Sequence, residues 1–179
     1  MSQVANNYAQ ALYDLVQDED LQEQTLQQLT VLQQSFAEEP SFITLLNAPN
    51  LSKQERCDIL DQSFRDKVHI YVLNFLKILT EKGYMGSFCD CCKEFRRLYN
   101  QAHGILPVQV VTAATLQQSQ MDKLTQKLSS ITGKTVQLQC RVDPSVLGGV
   151  RLDYDGKQVD GTVQGRLNAV RDLLKNTVL

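Results

Sequence analysis

The chain has 179 residues, 42% of them hydrophobic and 21% charged, with a formal net charge of -2. That is enough apolar material for one domain or two small ones, and the charge lacks the basic stripe expected of a nucleic-acid surface. No apolar run approaches the roughly 20 residues that cross a bilayer, no basic segment leads into an apolar core at the start, and five cysteines, an odd number, point to reduced thiols in a cytosolic compartment.

The first hundred or so residues read as helices alone. Val4 to Asp18 carries apolar residues at 4, 8, 11, 12 and 15, one face of a helix. A second helix runs from about Leu21 to Phe36, with Leu26, Leu29, Leu32 and Phe36 on one side. Pro40 and Pro49 bracket a short helical piece around Phe42 to Leu46, as Pro does at helix starts and just past helix ends. Ser52-Lys53-Gln54-Glu55 is a capping box, in which the hydroxyl and the carboxylate each satisfy an orphan backbone donor. It opens a fourth helix carrying Cys57, Leu60 and Phe64. Lys67 to Lys82 is the most hydrophobic helix, stopped by Gly83, and Gly86 to His103 is the sixth, stopped by Gly104.

At Gly104 the period changes from 3.6 to 2. Ile105 to Thr112 is rich in β-branched residues, Thr115-Leu116-Gln117-Gln118 reads as another capping box, and Met121, Leu124, Leu128 and Ile131 repeat at helical spacing up to Gly133. Val136, Leu138, Cys140 and Val142 then alternate with polar residues, a half-buried strand. Asp155-Gly156 signals a type I′ turn, and folding about it sets Leu152 opposite Val159 and Arg151 opposite Asp160. Leu152 and Val159 then share one face with Val150 and Tyr154. After Asp160-Gly161, Thr162 is a candidate N-cap for a helix whose apolar face holds Val163, Leu167, Val170 and Leu174. The expected fold class is α+β: a six-helix bundle over residues 1–104, then a small β-α-β-β-β-α domain over residues 105–179.

The chemistry-bearing motifs resolve to structural roles. Gly133-Lys134-Thr135 resembles the tail of a phosphate loop, but the first glycine that loop requires is replaced by Leu128 inside a helical stripe. Cys89, Cys91 and Cys92 invite a metal or redox reading. On a helix, however, Cys89 and Cys91 point about 200° apart, and no second ligand cluster completes a tetrahedral site. His69 and His103 fall at helix ends outside any nucleophile motif, and Asp18-Glu19-Asp20 and Glu38-Glu39 read as solvated charge at helix junctions. No catalytic constellation, metal site or cofactor site is expected.

What remains is an excess of apolar surface on two helices. The first carries two adjoining stripes, Val4-Tyr8-Ala11-Leu15 and Ala5-Ala9-Leu12-Val16, where a packed helix needs one. The fifth is apolar around nearly its whole axis from Val68 to Leu79. Both patterns fit central helices buried on all sides, and both fit the walls of a groove that receives an amphipathic helix from another protein.

The run from Val142 to Leu174 resembles the C-terminal signature of the delta subunit of F-type ATP synthases, related to the mitochondrial oligomycin-sensitivity-conferring protein. It carries Asp143-Pro144-Ser145, Val146-Leu147, Gly148-Gly149, Asp155-Gly156 and Asp160-Gly161-Thr162-Val163, with Thr162 where Ser is usual. Near the start, Tyr8-Ala9-x-Ala11-Leu12 also matches, although Asn6-Asn7 stand where a basic residue commonly precedes the tyrosine. The resemblance implies a non-catalytic stator subunit, one copy per complex, on the cytoplasmic face of the plasma membrane. It implies that the helical domain holds the N-terminal helix of an alpha subunit between its first and fifth helices, and that the C-terminal domain holds the ends of the membrane-anchored b subunits. Such a subunit resists rotary torque, so that proton flow is coupled to ATP synthesis. Tyr8, Ala11 and Ile78 match groove positions of the family, and helical phase adds Val4, Leu15, Tyr71 and Asn74. The competing expectations are a generic helical scaffold and, on the cysteines, a thiol-based redox or metal protein.

Overall fold

The computed structural model describes residues 3–48, 50–146, 148–163, 165 and 167. The chain forms two compact units, residues 1–99 and 100–179.

The first unit is built from α1 (Gln3–Gln17), α2 (Gln22–Glu38), α3 (Pro40–Leu46), α4 (Lys53–Phe64), α5 (Ile70–Glu81) and most of α6 (Phe88–Ala102), with a 3-10 turn at Met85–Ser87 before α6. The capping box at Ser52 forms as its sequence requires: the Glu55 N–H donates to Ser52 Oγ at 3.2 Å and the Ser52 N–H to the Glu55 carboxylate at 2.7 Å. α5 starts later than its apolar run suggests. His69 is its N-cap, its Nδ1 accepting the Tyr71 N–H while its own N–H donates to Gln28 Oε1 of α2. Val68 therefore belongs to the approach to the helix.

One core joins all six helices, including Val16 of α1, Leu29 of α2, Leu46 of α3, Leu60 of α4, Leu76 of α5 and Phe95 of α6. Phe36 meets Phe88 with ring centroids 5.1 Å apart and stacks on the half-buried Phe42 at 5.6 Å, and Phe42 meets the half-buried Phe64 edge-on at 5.7 Å. Four helices are thereby tied through one aromatic cluster. Truncating the fully buried Phe88 to Ala would cost about 3–5 kcal/mol. The Lys77–Asp61 ion pair at 2.7 Å adds a link from α5 to α4.

The second unit is a mixed sheet of β1 (Ile105–Thr112), β2 (Thr135–Val142), β3 (Val150–Tyr154) and β4 (Lys157–Asp160), in the order β2-β1-β3-β4, with α7 (Gln118–Thr132) between β1 and β2. β1 is central, parallel to β2 over eight residue pairs and antiparallel to β3. Leu106, Val108 and Val110 of β1 meet Val136 of β2, Leu128 of α7 and Leu152 of β3 in a separate core. The chain as described is therefore α+β, with seven α-helices and a four-stranded mixed sheet among the described residues.

Gly133 caps α7 in the left-handed conformation at φ +67°, where a Cβ is disfavoured, and β2 begins at Thr135. Lys134 lies 3.6 Å from Asp155 of the hairpin turn, so Gly133-Lys134-Thr135 is a helix stop and a surface ion pair. The capping box expected at Thr115 forms two residues later. Gln117 is the N-cap, its N–H donating to Gln120 Oε1 at 2.9 Å, because Leu116 is drawn into the core and holds the chain out of the helix until Gln117.

The hairpin has the register set by its turn. Asp155 and Gly156 both take positive φ, +46° and +72°, and Leu152 pairs with Val159 and Arg151 with Asp160. Val159 is 48% exposed on the edge strand, although its partner Leu152 is buried. Arg151 Nε lies 3.6 Å from Asp153 Oδ2 on its own strand, while Asp160 Oδ1 accepts the Thr162 N–H. Asp160 thus serves the cap of the following helix while standing opposite Arg151, whose charge also helps to lower its pKa. Beyond the hairpin, Val163 and Leu167 are helical and exposed, whereas Leu147, Val170 and Leu174 lie outside the described residues.

Candidate functional site

α1 and α5 run side by side in opposite senses, with Tyr8 near the end of α5 and Leu15 near its start. Tyr8 meets the Tyr84 ring at 5.9 Å just beyond α5. At the other end the Tyr71 hydroxyl donates to the Glu19 carboxylate in the turn after α1. That hydrogen bond raises the Tyr71 pKa, because Glu19 favours the protonated phenol.

Between these ends lies a cavity of about 390 Å³ lined by Tyr8, Ala11, Leu12, Leu15, Tyr71, Asn74, Phe75 and Ile78. Six of the seven groove residues read from the sequence line it: Tyr8, Ala11, Leu15, Tyr71, Asn74 and Ile78. Val4 does not, since it stands a turn before Tyr8, which already reaches Tyr84 past the end of α5. Ala5, Ala9 and Val16 face the core instead, and buried Leu12 belongs to both core and cavity wall, so the two adjoining stripes of α1 divide the work, one buried and one open. Leu15 and Ile78 are nearly half exposed on the rim. α5 divides likewise: Val72, Leu73, Leu76 and Leu79 are buried, while Ile70, Asn74 and Ile78 form an outward stripe at intervals of four. Sequence reasoning missed Leu12 and Phe75 as lining and Tyr84 and Glu19 as end pieces. An aromatic immediately after a helix-stop glycine was the signal for Tyr84, and no local pattern pointed to Glu19.

The signature residues of the second unit form a backbone clasp at the base of the hairpin. Asp143 Oδ1 accepts both the Ser145 N–H at 3.0 Å and the Ser145 hydroxyl at 2.6 Å, closing a turn through Pro144 and seating Val146 in a buried position. These donations hold the Asp143 carboxyl below its ordinary value. Gly149, at φ +86°, passes so close to the backbone just past β4 that a Cβ would stand 2.5 Å from Gly161 O and 2.8 Å from Thr162 Cα. The clasp is closed by Gly161 N–H donating to Val150 O and Val163 N–H to Gly148 O. Asp160 then accepts the Thr162 N–H, and Thr162 Oγ1 accepts the Gly165 N–H at 3.0 Å, so Thr162 caps the next helix. The bonds from Thr162 lower the Asp160 pKa.

Two members of the cysteine cluster, Cys91 and Cys92, are unsuited to redox or metal work. Cys91 and Cys92 are buried with hydrophobic neighbours, and burial pushes the Cys91 thiol up to about 11 and Cys92 higher still. The thiolate needed for either chemistry is therefore suppressed. Among the described residues, no group of three or more His, Cys, Asp or Glu side chains converges to hold a metal ion.

Fold and site together define a class: a two-unit α+β protein with an open apolar groove on one unit and a glycine-locked hairpin on the other. Residues 4–174 match the family described as ATP synthase delta (OSCP) subunit, and the chain belongs to that family. It is 32% identical over 176 residues to an ATP synthase subunit delta of Alkaliphilus oremlandii, covering 98% of each chain. It is 31% identical to one of Desulfitobacterium hafniense, covering 97% of each. Its fold is also that of a chain in the mitochondrial ATP synthase hexamer of Toxoplasma gondii, with TM-score 0.77, 20% identity and 97% of this chain covered. Members of the family are structural subunits of the peripheral stalk of F-type ATP synthases and perform no catalysis, and this chain is a stator component of that kind. Among the described residues no helix is long and apolar enough to cross a membrane.

Proposed function

We propose that the first unit, a six-helix bundle, grips the catalytic head of the synthase by holding the N-terminal helix of an alpha subunit in the groove between α1 and α5. The groove carries this reading, because an amphipathic helix buries its apolar face against such a concave apolar wall. The second unit, by family resemblance, holds the C-terminal ends of the b subunits, which are anchored in the membrane. One copy at the cytoplasmic face of the plasma membrane would then bridge head and stalk. Two modest contacts on one chain act together, since binding at one raises the effective concentration at the other. The bridge resists the torque of the rotating shaft, so that proton flow drives the catalytic sites instead of turning the head.

The test is a titration of the full chain with a synthetic peptide of the alpha-subunit N-terminal helix. Ala11 is exposed in the open groove, so Ala11→Asp leaves the fold intact and places a carboxylate where the peptide's apolar face must sit. An unpaired buried charge costs several kcal/mol, and binding should fall below detection. Unchanged binding by a normally folded Ala11→Asp chain refutes the groove assignment.

A further inference from the structure

Within the groove Asn74 is out of character. It lies at the middle of the outward stripe Ile70-Asn74-Ile78 and is exposed, with apolar neighbours in Leu15, Phe75 and Ile78. Among the described residues its amide makes no hydrogen bond within the chain, so water satisfies it while the groove is open. The Tyr71 hydroxyl, by contrast, is already committed to Glu19. A wholly apolar helix laid into the groove would strip the amide of water and replace it with nothing, which is the costly way to bury a polar group.

We infer that Asn74 is a specificity-determining residue: it selects a helix with one hydrogen-bonding side chain set into its apolar face, and fixes the register at which that helix docks. This rests on the docking role proposed for the groove. The amide offers a donor and an acceptor side by side, so a glutamine, asparagine, serine or carboxylate can answer it. The apolar walls on either side carry no directional bond and tolerate sliding by a turn, and the single polar position makes one register preferable. A lone polar residue at a helix–helix seam performs the same service in coiled coils.

The experiment uses the full chain, its Asn74→Leu variant and the synthetic alpha-subunit helix peptide. A peptide series replaces each polar residue that interrupts the apolar face with leucine, one at a time. Leucine is a strong helix former and position 74 is exposed, so Asn74→Leu should retain its helical circular dichroism and melting temperature. For the natural chain, one replacement should weaken binding by about tenfold, the equivalent of one buried amide left unsatisfied. For Asn74→Leu, the same replacement should bind as well as or better than the natural peptide, a reversal of rank that a merely structural residue would not produce. If peptides bind but both chains rank them identically, the assignment to Asn74 is overturned while the groove stands. If the natural chain binds none of them, the docking reading falls and this inference with it.

Discussion

Replacing Gly149 with alanine should open the second unit, by an amount set by two separate effects. The residue is held at φ +86°, and a left-handed backbone costs an L-residue about 1–2 kcal/mol. The added Cβ would also stand 2.5 Å from Gly161 O and 2.8 Å from Thr162 Cα. Both are backbone atoms that no rotamer change can move aside, and forcing a methyl group into closed structure costs about 1–3 kcal/mol. The sum is about 2–5 kcal/mol. A unit the size of residues 100–179 has a total stability of about 4–12 kcal/mol at ordinary values per residue. Gly149→Ala should therefore leave it marginal, with the first unit untouched. Hydrogen exchange of the full chain, read by mass spectrometry, separates the two: amides of β3 and β4 should lose protection while those of α2 and α6 keep theirs. Gly156→Ala is the control, because at φ +72° it has nothing within 4 Å of the new Cβ and bears the backbone term alone. Equal exchange rates in Gly149→Ala and the parent would refute the reasoning, as would a cost no greater than that of Gly156→Ala.

Acid should loosen the same region. Asp143 and Asp160 titrate below their ordinary range because they accept bonds from Ser145 and Thr162. Their contribution is thus present above the unfolded value near pH 4 and is lost as pH falls through the folded values. Asp160→Asn should flatten that part of the stability profile, and an unaltered acid midpoint would speak against the cap. At the alkaline end the sign reverses. Between about pH 9 and 11 folded Cys91 keeps a proton that the unfolded chain gives up, so stability should decline as pH rises. Cys91→Ala should abolish that share of the decline. Alkylation at neutral pH should mark exposed Cys140 first and Cys91 and Cys92 last, and rapid labelling of Cys92 would contradict its burial.

The legibility of this chain follows from how local each cause is. The capping box at Ser52, the left-handed stop at Gly133 and the type I′ turn at Asp155-Gly156 are decided within four residues, and each forms where those residues stand. The groove is a different case: the surplus apolar stripes of α1 and α5 fit buried helices as well as groove walls, and it is the family resemblance that singles out Tyr8, Ala11 and Ile78. Contacts between distant segments left no such trace. Glu19 reads as solvated charge until the fold sets it beside Tyr71. Val159 shares a face with buried Leu152, yet it stays exposed because β4 ends the sheet order among the described strands. The capping box at Thr115 was lost to Leu116, whose pull toward the second core outweighs a local preference worth about 1 kcal/mol.

The central place of β1 bears on how this subunit meets mechanical load. Its bonds to β2 and β3 lie across the strand direction, and the parallel ladder extends from Ile105 to Thr112 without interruption. A tug applied at Ile105 along the strand therefore meets that entire ladder in shear, with rungs yielding together and not unzipping one after another. Stiffness of this sort comes from strand order alone, and it needs neither a disulfide nor a metal.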